Sequence, residues 1–264
     1  MQILHLQPEP FYKIRYRVSA ISKEPHATLP FYRATVDGLP EGLDAIIAAG
    51  DLQGYEITSS TTPAKLLGDL LAGEIEVLRM RGELPPREKT AVIVAGDLQP
   101  RADEADVRAV WFALGDVCRW VAGVAGNHDA FGDAKSAGEA RLALDRSDLH
   151  FLDETIVSID GLSIGGISGA VGRPGDLWAR TEKEFAAALA RLANRGLDLL
   201  ISHDGPNVAG TTLAGWPSVR LALESAPRTL VIRGHDPWPT PLAMLGNGTQ
   251  VLNVEGCVFV LSRG

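Results

Sequence analysis

The sequence predicts an α/β fold with sheet at its centre, on three observations. Short apolar or β-branched runs recur along the chain, stretches of helical period separate them, and a small or polar residue follows each run. At the start, Tyr12, Ile14, Tyr16 and Val18 alternate with Lys13, Arg15 and Arg17, giving a strand with one apolar and one basic face. That face reads either as a solvated edge whose charges deter pairing with other chains or as a basic strip facing a substrate. Next comes the apolar run 45–49, then helical spacing at Leu66, Leu67, Leu70, Leu71 and Leu78. Run 91–95 precedes the helical set Val107, Val110, Trp111 and Leu114, and run 121–125 comes after it. Phe185, Leu189 and Leu192 mark a third helix, before runs 199–202 and 229–232. Uninterrupted apolar runs of this length belong to strands buried on both faces. The tail, 251–254 and 257–261 split by Glu255-Gly256, reads as a closing hairpin that would make the sheets mixed.

Composition narrows the function. A chain of 264 residues that is 45% apolar and 22% charged can bury a full core in one α/β domain or, with less to spare, two small ones. A net charge of −8 gives no general basic surface for nucleic acid, so an anionic substrate has to be attracted locally, by bound cations. Small anionic substrates fit that balance better than long polyanions. No apolar run is long enough to cross a bilayer, and MQILHLQPEP lacks the features of a secretory signal. Two distant cysteines, Cys118 and Cys257, make neither a disulfide framework nor a Cys-based zinc site. The expectation is a cytoplasmic protein without membrane or nucleic-acid partners.

The residues just beyond each apolar run carry the chemistry. Gly50-Asp51-Leu52-Gln53-Gly54 comes after the first, Gly96-Asp97 after the second and Gly126-Asn127-His128-Asp129 after the third. His203-Asp204-Gly205-Pro206 and Arg233-Gly234-His235-Asp236 come after the last two. Oxygen and imidazole donors thus sit where strands leave a sheet, the usual place for ligands in α/β proteins. Mixed His, Asn and Asp donors suit manganese, iron, zinc or similar ions better than calcium or magnesium. A carboxylate can join two such ions, and ions about 3.5–4 Å apart clamp the attacking and leaving oxygens of a phosphoryl displacement. His5, His26 and His150 have no such setting and read as structural.

In this order the blocks resemble the calcineurin-like metallophosphoesterases, whose pattern is D-x-H, G-D, G-N-H-D/E, H and G-H-x-H. The match runs from about residue 44 to the end. The resemblance implies a four-layer α-β-β-α sandwich of two mixed β-sheets flanked by helices, formed by residues 1–264 as a single domain. Residues 1–43 are then an N-terminal extension or an added hairpin. It also implies site roles. Asp97 bridges two metals; Asn127, His203 and His235 complete the second; Asp51 serves the first. His128 protonates the leaving oxygen, and Asp129 orients it. An alternative alignment of the first block at residues 6–9 loses its aspartate to Pro8, so Asp51 is preferred.

Two positions depart from the pattern. Gln53 stands where the first block usually has histidine, and Pro237 where the last block has its second. Both belong to the first metal, which is left with Asp51, Asp97 and the Gln53 amide oxygen. Manganese-dependent ADP-ribose and CDP-alcohol diphosphatases resemble this D-x-Q form. The expectation is two divalent metal ions with the first site weakened. The expected activity is hydrolysis of a phosphodiester or pyrophosphate bond in a small substrate, nucleotides among the candidates, by attack of a metal-bound hydroxide. The alternatives are a phosphomonoesterase or a metal-binding scaffold with little or no activity. Trp216 and Trp238 read either as packing around the late loops or as surfaces for a nucleobase. The glycines of 165–172 fit no dinucleotide fingerprint, and no P-loop lysine or nucleophile elbow is present.

Overall fold

A computed structural model of the chain describes residues 1–18, 26–57, 64–99, 106–173 and 175–264. Its elements begin with β1 (Gln2–Leu6), β2 (Tyr12–Arg17), β3 (His26–Asp37), β4 (Ala45–Ala49), α1 (Leu67–Met80) and β5 (Thr90–Val94). Then come α2 (Arg108–Val117), β6 (Val121–Gly123), α3 (Ala137–Ala143), β7 (Leu149–Phe151), β8 (Thr155–Ile159), β9 (Leu162–Ile167) and α4 (Glu182–Ala193). The chain ends with β10 (Leu199–Ser202), α5 (Pro217–Glu224), β11 (Leu230–Arg233), β12 (Leu242–Met244), β13 (Gln250–Asn253) and β14 (Val258–Arg263).

The strands form two mixed sheets. The larger runs β1-β3-β14-β4-β5-β6-β7, with β2 also paired to β3; the smaller runs β12-β13-β11-β10-β9-β8. Alternation along each strand sorts its side chains into three apolar layers. In β4, Ala45, Ile47 and Ala49 face α1 and α2, where they meet Leu71, Ile75, Val110 and Trp111. Ile46 and Ala48 face the other way, into a central layer shared with Ile201, Ile232 and Leu252 of the smaller sheet. Leu200, Val231 and Val251 point outward again, against Phe185 and Leu189 of α4 and Val219 of α5. Helix, sheet, sheet and helix are therefore stacked as a sandwich. Ile46 and Ile232 are fully buried in its middle layer, where each such side chain contributes roughly 1.5–3 kcal/mol.

The hairpin expected at the tail is absent. β13 pairs with β11 and β12 in the smaller sheet, whereas β14 lies between β3 and β4 in the larger one. Both strands are buried on both faces, so each needs neighbours on either side, and Glu255-Gly256 carries the chain from one sheet to the other. Residues 1–43 supply β1, β2 and β3 to the larger sheet. β2 is an edge strand, with Lys13 and Arg15 exposed and Ile14 buried, as the alternation predicts.

Two helices escape the apolar pattern but carry start signals. Ser136 accepts the Glu139 N–H at 3.3 Å to cap α3, and Pro217 opens α5. The better-patterned α4 has a capping box between Thr181 and Glu184. Among the described residues, no helix is long and apolar enough to cross a membrane.

Candidate metal centre

β4, β5 and β6 are parallel neighbours in one sheet, as β10 and β11 are in the other. Their carboxyl ends meet at one edge of the sandwich, and the segments just beyond them interlock across the sheets. Asp51 Oδ2 accepts the His235 N–H at 2.9 Å, and His203 Nδ1 lies 2.8 Å from Ala95 O. The turn there is tight. Asp51, Asp97 and His235 adopt positive φ, at 51°, 55° and 74°, a conformation that costs a non-glycine residue about 1–3 kcal/mol and clusters at functional sites. Gly126 and Gly234 make room for the carboxylates. A Cβ on Gly126 would sit 1.9 Å from Asp97 Oδ1, and one on Gly234 2.2 Å from Asp51 Oδ2.

Asp97 lies at the middle of the cluster. Its Oδ1 accepts the His128 backbone N–H at 2.9 Å, and its Oδ2 accepts Gln53 Nε2 at 2.7 Å. Oδ2 is also 3.5 Å from His203 Nε2 and 4.0 Å from His128 Nε2. His203 Nε2 in turn lies 3.0 Å from Asn127 Oδ1 and 3.2 Å from His235 Nδ1. Asp51, Asp97 and His203 present donor atoms within 4.8 Å of one another. The Ala95 carbonyl requires a proton on His203 Nδ1, which leaves Nε2 as the atom facing the cluster. A neutral His203 would thus turn a lone pair toward Asp97 Oδ2 and Asn127 Oδ1, both acceptors. Such a gathering of Lewis bases is relieved by a proton or by a metal ion, so the donor set fits a divalent cation of the manganese, iron or zinc kind.

The electrostatics describe the proton alternative. Burial, reinforced by Asp97, pushes the Asp51 carboxyl up to about 7. Burial works against charge on His203 as well, but Asp97 and Asp51 overcome it and raise the imidazole to about 10. Asp97 stays below the usual carboxylate range, because the His203 imidazole and the His128 N–H outweigh its burial. His235 is pushed down by burial and by the neighbouring charge on His203. Metal-free, the cluster holds protons where a cation would neutralise the same carboxylates.

The predicted site residues Asp51, Gln53, Asp97, Asn127, His203 and His235 are thus brought together. The side chain of His128 is 38% exposed and opens into a cleft of about 610 Å³ lined also by Asn127, His235, Val171 and Arg173. Its loop is fixed at both backbone atoms, the N–H on Asp97 and the carbonyl on Gln99 Nε2 at 2.6 Å.

Asp129 departs from expectation. Its carboxylate is fully buried and accepts three backbone N–H groups, from Asp97 at 2.9 Å, Leu98 at 2.7 Å and Gly126 at 2.8 Å. Among the described residues, no hydrogen bond joins it to the His128 ring. It pins the Asp97 turn to the 126–129 turn instead of orienting the imidazole. Residues 6–9, the alternative first block, lie elsewhere, with Gln7 and Pro8 on a separate cavity of about 410 Å³. Pro237 is exposed and offers no donor.

Asp204, Asp236 and Arg233 stand in the sequence blocks without an assigned role. Asp204, His235 and Asp236 form a second group with donor atoms within 4.8 Å, but this one already has a cation. The fully buried Arg233 places Nη2 3.7 Å from Asp236 and 3.9 Å from Asp204. Asp204 also accepts the indole N–H of Trp216 at 2.7 Å. Trp216 therefore packs the loop, and Trp238 covers Arg233 with its centroid 5.3 Å from the guanidinium. The order of ligand and carboxylate in His203-Asp204 and His235-Asp236 was the available signal; the partner Arg233 has no motif to announce it.

No family model matches this chain, and no curated protein matches it. One crystal structure, 16% identical, superposes with a TM-score of 0.55 over 82% of this chain and 91% of its own, which shows a shared fold. The phosphopantetheinyl hydrolase PptH from Mycobacterium tuberculosis is 15% identical with a TM-score of 0.44, over 81% of this chain and 90% of its own. SoxB, a sulfate thiohydrolase of Thermus thermophilus, is 16% identical with a TM-score of 0.45 over 86% of this chain. This chain spans 58% of the SoxB length. At those two scores the likenesses add nothing to the chemistry.

Proposed function

We propose that this chain is a metal-dependent phosphoesterase that hydrolyses a phosphodiester or pyrophosphate bond in a small substrate. One observation carries the reading: five strand ends from two sheets deliver Asp51, Asp97, Asn127, His203 and His235 to one linked cluster, in which Asp51, Asp97 and His203 face one another and Asn127 and His235 both reach His203 Nε2. Asn127, His203, His235 and Asp97 would hold one cation. Asp51, Gln53 and Asp97 would hold the other, more weakly, since the Gln53 amide offers one neutral oxygen where an imidazole nitrogen is usual. Divalent cations so held supply Lewis acidity at the phosphoryl oxygens and ease deprotonation of the attacking water.

The remaining work falls to the protein. His128 stands in the cleft beside the cluster with its backbone fixed at both sides. A water that has given one proton to solvent adds its oxygen to phosphorus, the bond from phosphorus to the leaving oxygen breaks, and the proton of the His128 imidazolium passes to that leaving oxygen. Asp129 keeps the Asp97 and 126–129 turns in register.

The test is turnover of bis-p-nitrophenyl phosphate with manganese, with Asp97→Asn as control. Metal-dependent release of p-nitrophenol that disappears in the variant supports the proposal. No release with any divalent ion would leave a metal-binding scaffold as the better description.

A further inference from the structure

The cleft beside the metal cluster has two walls. Asn127, His128 and His235 form one, and residues 170–173 with 176, 177 and 179 form the other. This second wall is tied to the loops that carry the metal-ligand candidates. The Val171 N–H donates to Asp204, next to His203, at 3.0 Å, and Trp178 Nε1 donates to the carbonyl of Asp129, next to His128, at 2.7 Å. Gly172 N donates to Arg180 O and Arg180 N to Ala170 O, each at 3.0 Å. The Arg180 guanidinium is in turn held by Asp153 and Glu154. The backbone of this wall is therefore tied to the loops of His128 and His203.

What they present is Arg173. It is exposed and lines the cleft, and its guanidinium has no hydrogen-bond or ion-pair partner among the described residues. Other arginines of the fold are ion-paired: Arg180 with Asp153, Arg146 with Asp148, Arg220 with Glu224 and Arg233 with Asp204 and Asp236. Asp176 lines the same cleft without pairing to Arg173. In a chain of net charge −8, a free guanidinium on the wall of an active-site cleft is poised for an anion, and its fork matches a phosphate oxygen pair.

We propose that Arg173 selects substrates bearing a second anionic group, one phosphate beyond the phosphorus at the metal cluster, so that a pyrophosphate diester is preferred over a simple phosphodiester. This rests on the phosphoesterase reading and names the substrate class of that same site.

The experiment compares diadenosine 5′,5′-diphosphate with bis-p-nitrophenyl phosphate on the manganese-loaded enzyme, for wild type, Arg173→Ala and Arg173→Lys. The expected result is a fall of about tenfold, the size of one charge-assisted contact, in the ratio of kcat/KM for the pyrophosphate diester over the phosphodiester. The loss should sit in KM, and lysine should recover part of it. Calorimetric binding of the methylene-bridged, non-hydrolysable pyrophosphate analogue should weaken by a similar factor. A ratio unchanged within about twofold, with analogue binding also unchanged, overturns the role of Arg173 and leaves the phosphoesterase standing. No turnover of either compound by the wild type overturns both.

Discussion

His203 Nε2 lies 3.2 Å from His235 Nδ1, with the two rings 4.9 Å apart between centroids and inclined by 64°. The two side chains leave parallel neighbouring strands, β10 and β11, and meet at His203 Nε2, which also lies 3.5 Å from Asp97 Oδ2 of the other sheet. Because Ala95 O fixes the proton on His203 Nδ1, the Nε2 site belongs either to a second proton or to a cation. Binding of one must release the other.

That competition has a sign. The metal-free folded state raises Asp51 from 3.8 to about 7 and His203 from 6.5 to about 10. Each raised group favours the folded state below its unfolded value and loses that contribution as pH rises through its folded value. Stability of the metal-free protein from these two groups therefore declines across roughly pH 4 to 10, while metal affinity climbs as the protons become easier to displace. Melting temperatures measured with excess manganese and with chelator should diverge as pH is raised from 5 to about 9. A constant or shrinking gap would show that protons and metal do not share the site.

Gly126 is required by the Asp97 carboxylate, since the nearest approach to an added Cβ is 1.9 Å. Gly126→Ala should displace that carboxylate and lower the bound metal measured by elemental analysis, with the secondary structure retained. Gly73 is the control. It lies within α1 with nothing within 4 Å of an added Cβ, so Gly73→Ala should leave metal content alone and stabilise the helix by about 0.5–1 kcal/mol. Equal metal content in the two variants would refute the crowding argument.

The Asp129 carboxylate ties three amides of two turns, so its loss should be structural before it is catalytic. Asp129→Asn keeps the shape but replaces one accepting oxygen with a donor facing an N–H. A stability loss of about 1–3 kcal/mol and weaker metal binding are expected, seen by denaturant unfolding and by calorimetry. His128→Ala should change neither. If Asp129→Asn instead left stability and metal affinity intact and altered only the pH profile of turnover, the orienting role suggested by its motif would be restored.

Sequence legibility tracked burial and spacing. β4 and β10 match their apolar runs to the residue, β5 and β11 are shifted from theirs by one residue, and β6 is two residues shorter, because strands buried on both faces have to be continuously apolar. The same property misled at the tail, where two such runs separated by Glu255-Gly256 look like a hairpin yet are interior strands of different sheets. Composition cannot show which sheet a strand joins. The cluster itself was legible because each donor comes within four residues of the end of its strand. The bonding of Asp129 was not, since a backbone amide leaves no mark on the sequence.

The role of His128 separates from that of the metal ligands by leaving group. Its ring stands 4.0 Å from Asp97 Oδ2 and 38% exposed in the cleft, outside the closest set of donor atoms, so His128→Ala should retain full metal content. An acid that protonates the departing oxygen matters little when that oxygen is p-nitrophenolate, which leaves readily as an anion. It matters greatly for an alkoxide, where general acid catalysis contributes about 10²–10⁴-fold. The variant should therefore turn over an alkyl phosphodiester far more slowly than wild type while losing much less on bis-p-nitrophenyl phosphate, which steepens the dependence of rate on leaving-group pKa. Equal losses on the two esters, at unchanged metal content, would assign His128 to stabilising the phosphoryl charge and leave the leaving oxygen to be protonated by water.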